Sequence, residues 1–302
     1  MSKLLRFVVV AALLGAAAPA VAADADWSKV GQALGKEGSK QPGGVYRVGL
    51  PRTDLHVTLD GVALKPGFAL GGWLAFKPMG NATVVMGDLV LTETEIAPVM
   101  KKFEAGGVKI TALHNHLLRA QPATFYMHVL GEGDPVKLAT ALHEGLALSK
   151  TPLQTTTAAN PASVNSAAGG SNLDTAAIDQ AMGRKGKDNG GVYAFSVPRA
   201  KPVHEVGMEI PASMGVATGI NFQPTGGTKA AITGDFVLTA NEVNPVIEAL
   251  QASGIEVTAL HSHMLTEEPR LFFMHFWAND DAVKLARGLR GALDRIDVKK
   301  TG

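Results

Sequence analysis

Val108 to Leu130 reads VKITALHNHLLRAQPATFYMHVL, and Ile255 to Trp277 reads IEVTALHSHMLTEEPRLFFMHFW. The second stretch repeats the first at a fixed offset, so His114, His116 and His128 return as His261, His263 and His275. Six of the nine histidines therefore fall into two equivalent triads. In each copy the His-x-His pair ends an apolar, β-branched run. Side chains in such a run alternate faces with a period of two, so both histidines project from one face. Arg119-Ala120-Gln121-Pro122 and Thr266-Glu267-Glu268-Pro269 carry the proline and polar residues of a chain reversal, which predicts an antiparallel hairpin. A turn centred near Gln121 sets His128 opposite His114. Cross-strand Cβ atoms are about 5 Å apart, so three imidazoles converge on a point about 2 Å from each ring nitrogen, as a zinc-like ion requires.

The alternate positions predict a hydrophobic core face: Leu113, Leu117, Phe125, Met127 and Val129, matched by Leu260, Met264, Phe272, Met274 and Phe276. Met127 and Met274 directly precede a triad histidine. Neighbours on a strand point to opposite sides, which puts these methionines in the core and not in a copper-type Met/His site.

The repeat extends outward from the hairpins. Trp27 to Leu34 has apolar residues at helical spacing and is matched by Leu173 to Met182; a strand opening Gly-Val-Tyr follows at Gly44 and at Gly191. Strands are expected at His56–Leu59, Ala69–Phe76 and Thr83–Leu91, and in the copy at Val203–Ile210, Gly215–Phe222 and Ala230–Leu238. A helix then begins with Thr92 and Glu95, or Thr239 and Glu242, the spacing of a capping box. Gly106-Gly107 or Gly254 ends it and the histidine hairpin follows. A last helix is launched by Asp134-Pro135, or by Asp281. About half the positions from Gly87 to Leu118 are identical in the copy.

These elements predict an α+β fold of two duplicated domains related by a pseudo-twofold axis, each a mainly antiparallel sheet with helices packed on one face. The first domain is expected over residues 24–150 and the second over 172–302, joined by a flexible linker at 151–171 rich in Thr, Ala, Asn, Ser and Gly.

Residues 1–23 have a basic start (Lys3, Arg6), a short apolar stretch (Phe7 to Leu14) and small residues at Ala20-Val21-Ala22-Ala23. That pattern predicts a cleaved signal peptide and a periplasmic or secreted protein. Its removal leaves 26 basic against 27 acidic side chains. No basic, aromatic-interleaved cluster suggests nucleic acid, and no apolar run of about 20 residues suggests a membrane span. With no cysteine in the chain, disulfides, thiolate ligands, a cysteine nucleophile and a lipidated cysteine are all excluded. Any metal must be held by nitrogen and oxygen.

The TALHNH and TALHSH runs, the later Met-His pair, and the Gly-Asp-x-Val-Leu run at Gly87 and Gly234 resemble the LppY/LpqO-type family of bacterial exported proteins over nearly the whole mature chain. The resemblance implies a duplicated domain of unassigned function. The anchoring cysteine of mycobacterial lipoprotein members is missing here, so no lipid anchor is implied. Two other likenesses are refused. HNH nucleases take their name from residues scattered over a metal motif, and the tripeptide becomes HSH in the second copy. The cupin pattern fails because a helix precedes the strand and the first copy has no acid in the turn.

The triads point to a divalent transition metal, zinc or copper, held by neutral imidazoles with an open fourth position. His56 and His204 are further candidate ligands. Asp88 and Asp235, after the repeated glycine, are candidate general bases for a metal-bound water. The bland reading of the histidines is a hydrogen-bonded polar layer. Arg52 and Arg199 are expected in salt bridges rather than on an anionic ligand, and His143 on a solvated helix face. Three functions follow: an exported metal-binding protein, a metal-dependent hydrolase of a small or cell-envelope substrate, or a metal-free module for an envelope ligand. Oligomeric state is not readable from the sequence.

Overall fold

The computed structural model describes residues 26–153 and 173–300. The expected signal peptide and most of the expected linker lie outside the described residues. In chain order the first half consists of α1 (Trp27–Leu34), β1 (Ser39–Gln41), β2 (Val45–Pro51), β3 (Thr58–Leu59), β4 (Val62–Ala63), α2 (Pro66–Ala69), β5 (Gly71–Met79), β6 (Ala82–Leu91), α3 (Glu93–Ala105), β7 (Lys109–His114), β8 (Phe125–Gly133) and α4 (Pro135–Leu146). The second repeats this order as α5 (Thr175–Met182), β9 (Lys187–Asp188), β10 (Tyr193–Pro198), β11 (His204–Glu205), β12 (Met208–Glu209), β13 (Ala217–Gly226), β14 (Lys229–Leu238), α6 (Ala240–Ala252), β15 (Glu256–His261), β16 (Phe272–Asp281) and α7 (Ala282–Leu293); a short 3-10 turn at Ala212–Met214 stands where α2 stood.

Each half carries one six-stranded sheet with every neighbouring pair antiparallel, in the orders β1-β2-β5-β6-β8-β7 and β9-β10-β13-β14-β16-β15. The α+β class and the duplication stand as expected. The small elements differ from expectation. The strand expected at His56–Leu59 is the two-residue β3 paired to β4, and the strand expected at Val203–Ile210 breaks into β11 and β12. The cause is a tight reversal, with positive φ at Asp60-Gly61 and at Val206-Gly207.

Both faces of each sheet carry buried hydrophobic residues. On the outer face Val85, Leu89, Leu91, Met127 and Val129 pack with Val99 and Phe103 of α3 and Leu138 and Leu142 of α4; the second half repeats the arrangement around Phe236, Met274 and Phe276. The inner faces meet each other. Val84, Met86 and Leu130 share a cluster with Val237 and Phe273, while Val90 and Tyr126 share one with Ala231 and Trp277. An antiparallel sheet usually leaves one face to water; here the other half of the chain covers it, giving layers of helix, sheet, sheet and helix.

The capping boxes form as expected: Thr92 with Glu95 and Thr239 with Glu242 start α3 and α6. Asp134 and Asp281 accept backbone amide bonds at the starts of α4 and α7. Just past residue 150, Leu153 packs on the core of the first half and Lys36 Nζ donates to the Pro152 carbonyl at 2.9 Å. Polar contacts also join the halves. Arg119 bonds both Asp60 and Glu256, Trp277 Nε1 donates to Asp60 at 3.0 Å, and the Gln223 side chain bonds the backbone at Ala63 and Lys65. Among the described residues, no helix is long and apolar enough to cross a membrane.

Candidate metal centre

Both histidine hairpins form, but their register differs from expectation. His128 pairs with Ala112 and His114 with Tyr126, so the hairpin turns about Ala120 rather than Gln121, and His275 likewise pairs with Ala259; the bulges at Thr111 and Thr258 lie at the strand ends away from the turn. His114 and His128 become diagonal neighbours, their ring centroids still 5.1 Å apart. His116 and His263 lie beyond the strand ends. There the alternation stops: Leu117 and Met264 turn inward between the sheets, while Leu113 and Leu260, on edge strands, are 42% and 45% exposed. These four leave the expected helix-facing core.

The two triads form one cluster. His114 stacks on His261 with centroids 3.5 Å apart, His116 on His275 at 3.5 Å and His128 on His263 at 3.7 Å. Aromatic lids close the stack: Tyr126 lies 3.3 Å from His116 and Phe273 lies 3.6 Å from His263. The Tyr126 hydroxyl donates to the Ala69 carbonyl at 2.6 Å, so it is committed to the scaffold. Thr258 Oγ1 donates to the His116 carbonyl at 2.6 Å and ties the two hairpins together.

Two carboxylates join the rings. Asp88 of β6 is directly opposite His128, Oδ1 to Nε2 3.7 Å, and Asp235 of β14 is opposite His275 at 3.9 Å. The side-chain sets whose ligand atoms lie within 4.8 Å of one another are Asp88 with His116 and His128, Asp235 with His263 and His275, and the quartet His114, His116, His261 and His263. The expected set of three histidines from one hairpin is thus replaced. A carboxylate takes the place of His114 or His261, and those two meet each other instead. His56 and His204 are exposed and belong to none of these sets.

Burial holds every ring of the cluster neutral. His114 is lowered to about 4, His275 to about 3 and His261 to about 2, while His116, His128 and His263 fall well below the ordinary range. Burial raises Asp88 to about 7 against the pull of Arg47, and burial followed by the neighbouring Asp88 raises Asp235 well above a usual carboxylate. Neutral imidazole is the form that binds a metal. His275 Nδ1 donates to the Gly234 carbonyl at 2.8 Å, which leaves the Nε2 lone pair directed into the cluster.

A cavity of about 510 Å³ opens between the sheets at this cluster, lined by His116, His128, His263, His275, Asp88 and Asp235. Arg47 and Trp73 line it too, and the sequence reading missed both. The available signal was a difference between the copies, since Gly44-Val45-Tyr46 precedes Arg47 whereas Gly191-Val192-Tyr193 precedes Ala194.

The other singled-out residues have scaffold roles. Arg52 donates to Asp54, Glu95 and the Val90 carbonyl, and Arg199 to Glu242 and the Val237 carbonyl, the expected salt bridges. His143 is half-buried rather than solvated: its Nδ1 bonds the Leu34 carbonyl at the end of α1, as Arg290 bonds the Met182 carbonyl at the end of α5.

No curated protein matches the chain. Among solved structures, a trimeric bacterial microcompartment shell protein, PduB, is 13% identical with 85% of this chain and 88% of that chain covered, at a TM-score of 0.19. EtuB from Clostridium kluyveri is 8% identical with 85% and 91% covered, at 0.20. The family model described as Domain of Unknown Function (DUF1259) matches residues 28–148 and again residues 176–295, and the chain belongs to that family.

Proposed function

We propose that this protein is exported and binds a divalent transition metal, zinc or copper, in the histidine layer between its two sheets. The carrying observation is a set of orphaned atoms. Nine buried side-chain nitrogen or oxygen atoms among the described residues have no hydrogen-bond partner, and seven of them belong to this cluster: Asp88 Oδ1, both ring nitrogens of His114, the Nε2 atoms of His116, His128 and His275, and Asp235 Oδ1. An unsatisfied buried polar group costs about 1–3 kcal/mol, and a hydrogen-bonded histidine layer, the bland alternative, would have paired them. Coordination relieves the cost: the imidazoles are already neutral, and a bound cation would favour the charged form of Asp88 and Asp235.

On this reading each metal has two imidazoles and one carboxylate, His116, His128 and Asp88 or His263, His275 and Asp235, with a position left for water or ligand. The paired ring distances support a pseudo-twofold relation between the halves, with His114 and His261 at its centre. Export and the likeness to LppY/LpqO-type proteins belong to the same proposal.

A second reading, a metal-dependent hydrolase of a small or cell-envelope substrate, is favoured by Asp88. A carboxyl raised to about 7 on the wall of an open cavity is poised to exchange a proton with a bound water. In this case the quartet of His114, His116, His261 and His263 holds the ion and Asp88 or Asp235 acts as base.

The test is elemental analysis of the untagged mature protein beside Asp88→Asn/Asp235→Asn and His116→Ala/His263→Ala variants. One or two equivalents of one metal, lost in both variants, supports the carboxylate-containing sites. Metal kept in the aspartate variant but lost in the histidine variant favours the quartet and the hydrolase. No metal in the wild type, and no stabilisation by added zinc or copper, leaves a metal-free module for an envelope ligand.

A further inference from the structure

The cavity at the cluster is built asymmetrically. Arg47, on β2, is the one cationic side chain lining it among the described residues, and its guanidinium lies over the Trp73 ring at 4.1 Å from the centroid. Its Nη1 donates to the Ser213 carbonyl. Among the described residues no carboxylate stands within ion-pair distance of it, although Asp88 and Asp235 line the same cavity and Asp88 is close enough for the two charges to act on each other. Arg52 and Arg199 show what a scaffold arginine looks like in this fold, since each is locked by a glutamate. Arg47 lines the cavity and is held in place by a ring and one carbonyl, with no further hydrogen bond among the described residues. In the second half Ala194 stands at the place of Arg47, and Gly219, paired with Asp235 as Trp73 is paired with Asp88, stands at that of Trp73. The basic, aromatic wall therefore exists once and beside the Asp88 site only.

We propose that this cavity takes a small ligand bearing an oxyanion, a carboxylate or a phosphate, which pairs with Arg47 while another of its oxygens reaches the metal held by Asp88, His116 and His128. The inference rests on the metal-binding reading above. The planar fork of an arginine matches either oxyanion through two parallel hydrogen bonds, and Trp73 fixes its plane. A metal with three protein ligands keeps a position for an oxygen. A volume of about 510 Å³ fits a small metabolite, within the span of roughly 300–1,000 Å³ usual for ligand sites. The ligand's charge also balances the site, where a divalent ion and Arg47 together outweigh Asp88.

The experiment titrates the zinc-loaded mature protein with inorganic phosphate, with malonate and with potassium chloride at matched ionic strength, following thermal stability, and determines bound zinc in the same samples. Saturable stabilisation by phosphate or malonate beyond chloride, weakened at least tenfold in Arg47→Gln and less in Arg47→Lys with zinc per chain unchanged, is the expected result. A preference for phosphate or for malonate identifies which oxyanion the site takes. If neither anion exceeds chloride in the wild type, the inference is overturned even where Arg47→Gln does not fold; an equal response in a folded Arg47→Gln protein overturns it as well. Absence of bound zinc in the wild type is a separate readout, and it counts against the metal reading itself.

Discussion

Two groups of buried polar residues lie within the same sheets and are treated in opposite ways. Around Arg52, every charge has a partner: Asp54, Glu95 and the Val90 carbonyl take its donors, and Glu95 in turn accepts the amides of Thr92 and Lys150. Between the sheets, six imidazoles and two carboxylates leave seven atoms unpaired. The first group joins a strand to a capped helix and is complete without any added component. The second has the cost of burial without the matching bonds, and strain of that kind is expected at a site kept for function.

The largest break in this comparison comes from Arg52→Met. It leaves Glu95 buried without its counter-ion, and the loss of about 3–5 kcal/mol is read from urea midpoints; a small loss would mean that the network is not structural. Next comes pH. Imidazoles of the unfolded chain take up protons below the ordinary value of 6.5, whereas His114, His275 and His261 do so in the folded chain only near 4, 3 and 2. The unfolded state binds more protons in that window, so the metal-free protein loses stability as pH falls from 6.5 toward 4. Asp88, raised from 3.8 to about 7, contributes with the opposite sign, and Asp235 does likewise, but two carboxyls are set against six rings. Melting curves of chelator-treated protein check the direction.

A substitution inside the layer sharpens the contrast. His128→Leu removes an orphaned nitrogen, so the metal-free protein should change by no more than about 1 kcal/mol, while on the proposed metal-binding reading the zinc or copper content drops. A large loss of stability would show that the rings are held by bonds of their own. The smallest effect is expected of Tyr126→Phe, which copies Phe273 of the second half. It frees the Ala69 carbonyl at a cost of about 1 kcal/mol and, on the proposed metal-binding reading, leaves metal content unchanged, because the hydroxyl faces the scaffold.

The sequence made some of this legible and not the rest, for physical reasons. Capping boxes, helix starts and the hairpins are local, fixed by residues a few positions apart, and Thr92, Glu95, Asp134 and Asp281 act as their spacing suggests. The ladder register was misjudged because the polar run Arg119 to Pro122 marks a reversal without fixing its centre, and the pairing of His114 with Tyr126 puts that centre at Ala120 rather than Gln121. Leu113 and Leu260 were assigned to the core because alternation says which face a residue takes but not whether anything covers it. The pairing of His114 with His261 depends on how two sheets dock, which no hairpin encodes. Asp88 was legible as a repeated residue, but its direct opposition to His128 required the pairing of β6 with β8.

The stacking of His114 on His261 has a consequence for assembly. Each half contributes only part of the layer, so two separate repeats would have to find each other in solution and would come apart on dilution. Carried on one chain, the second repeat is present at the high effective concentration of a tethered partner. The ring layer of this protein should therefore persist at the lowest protein concentrations, where a bimolecular version of the same interface would have dissociated.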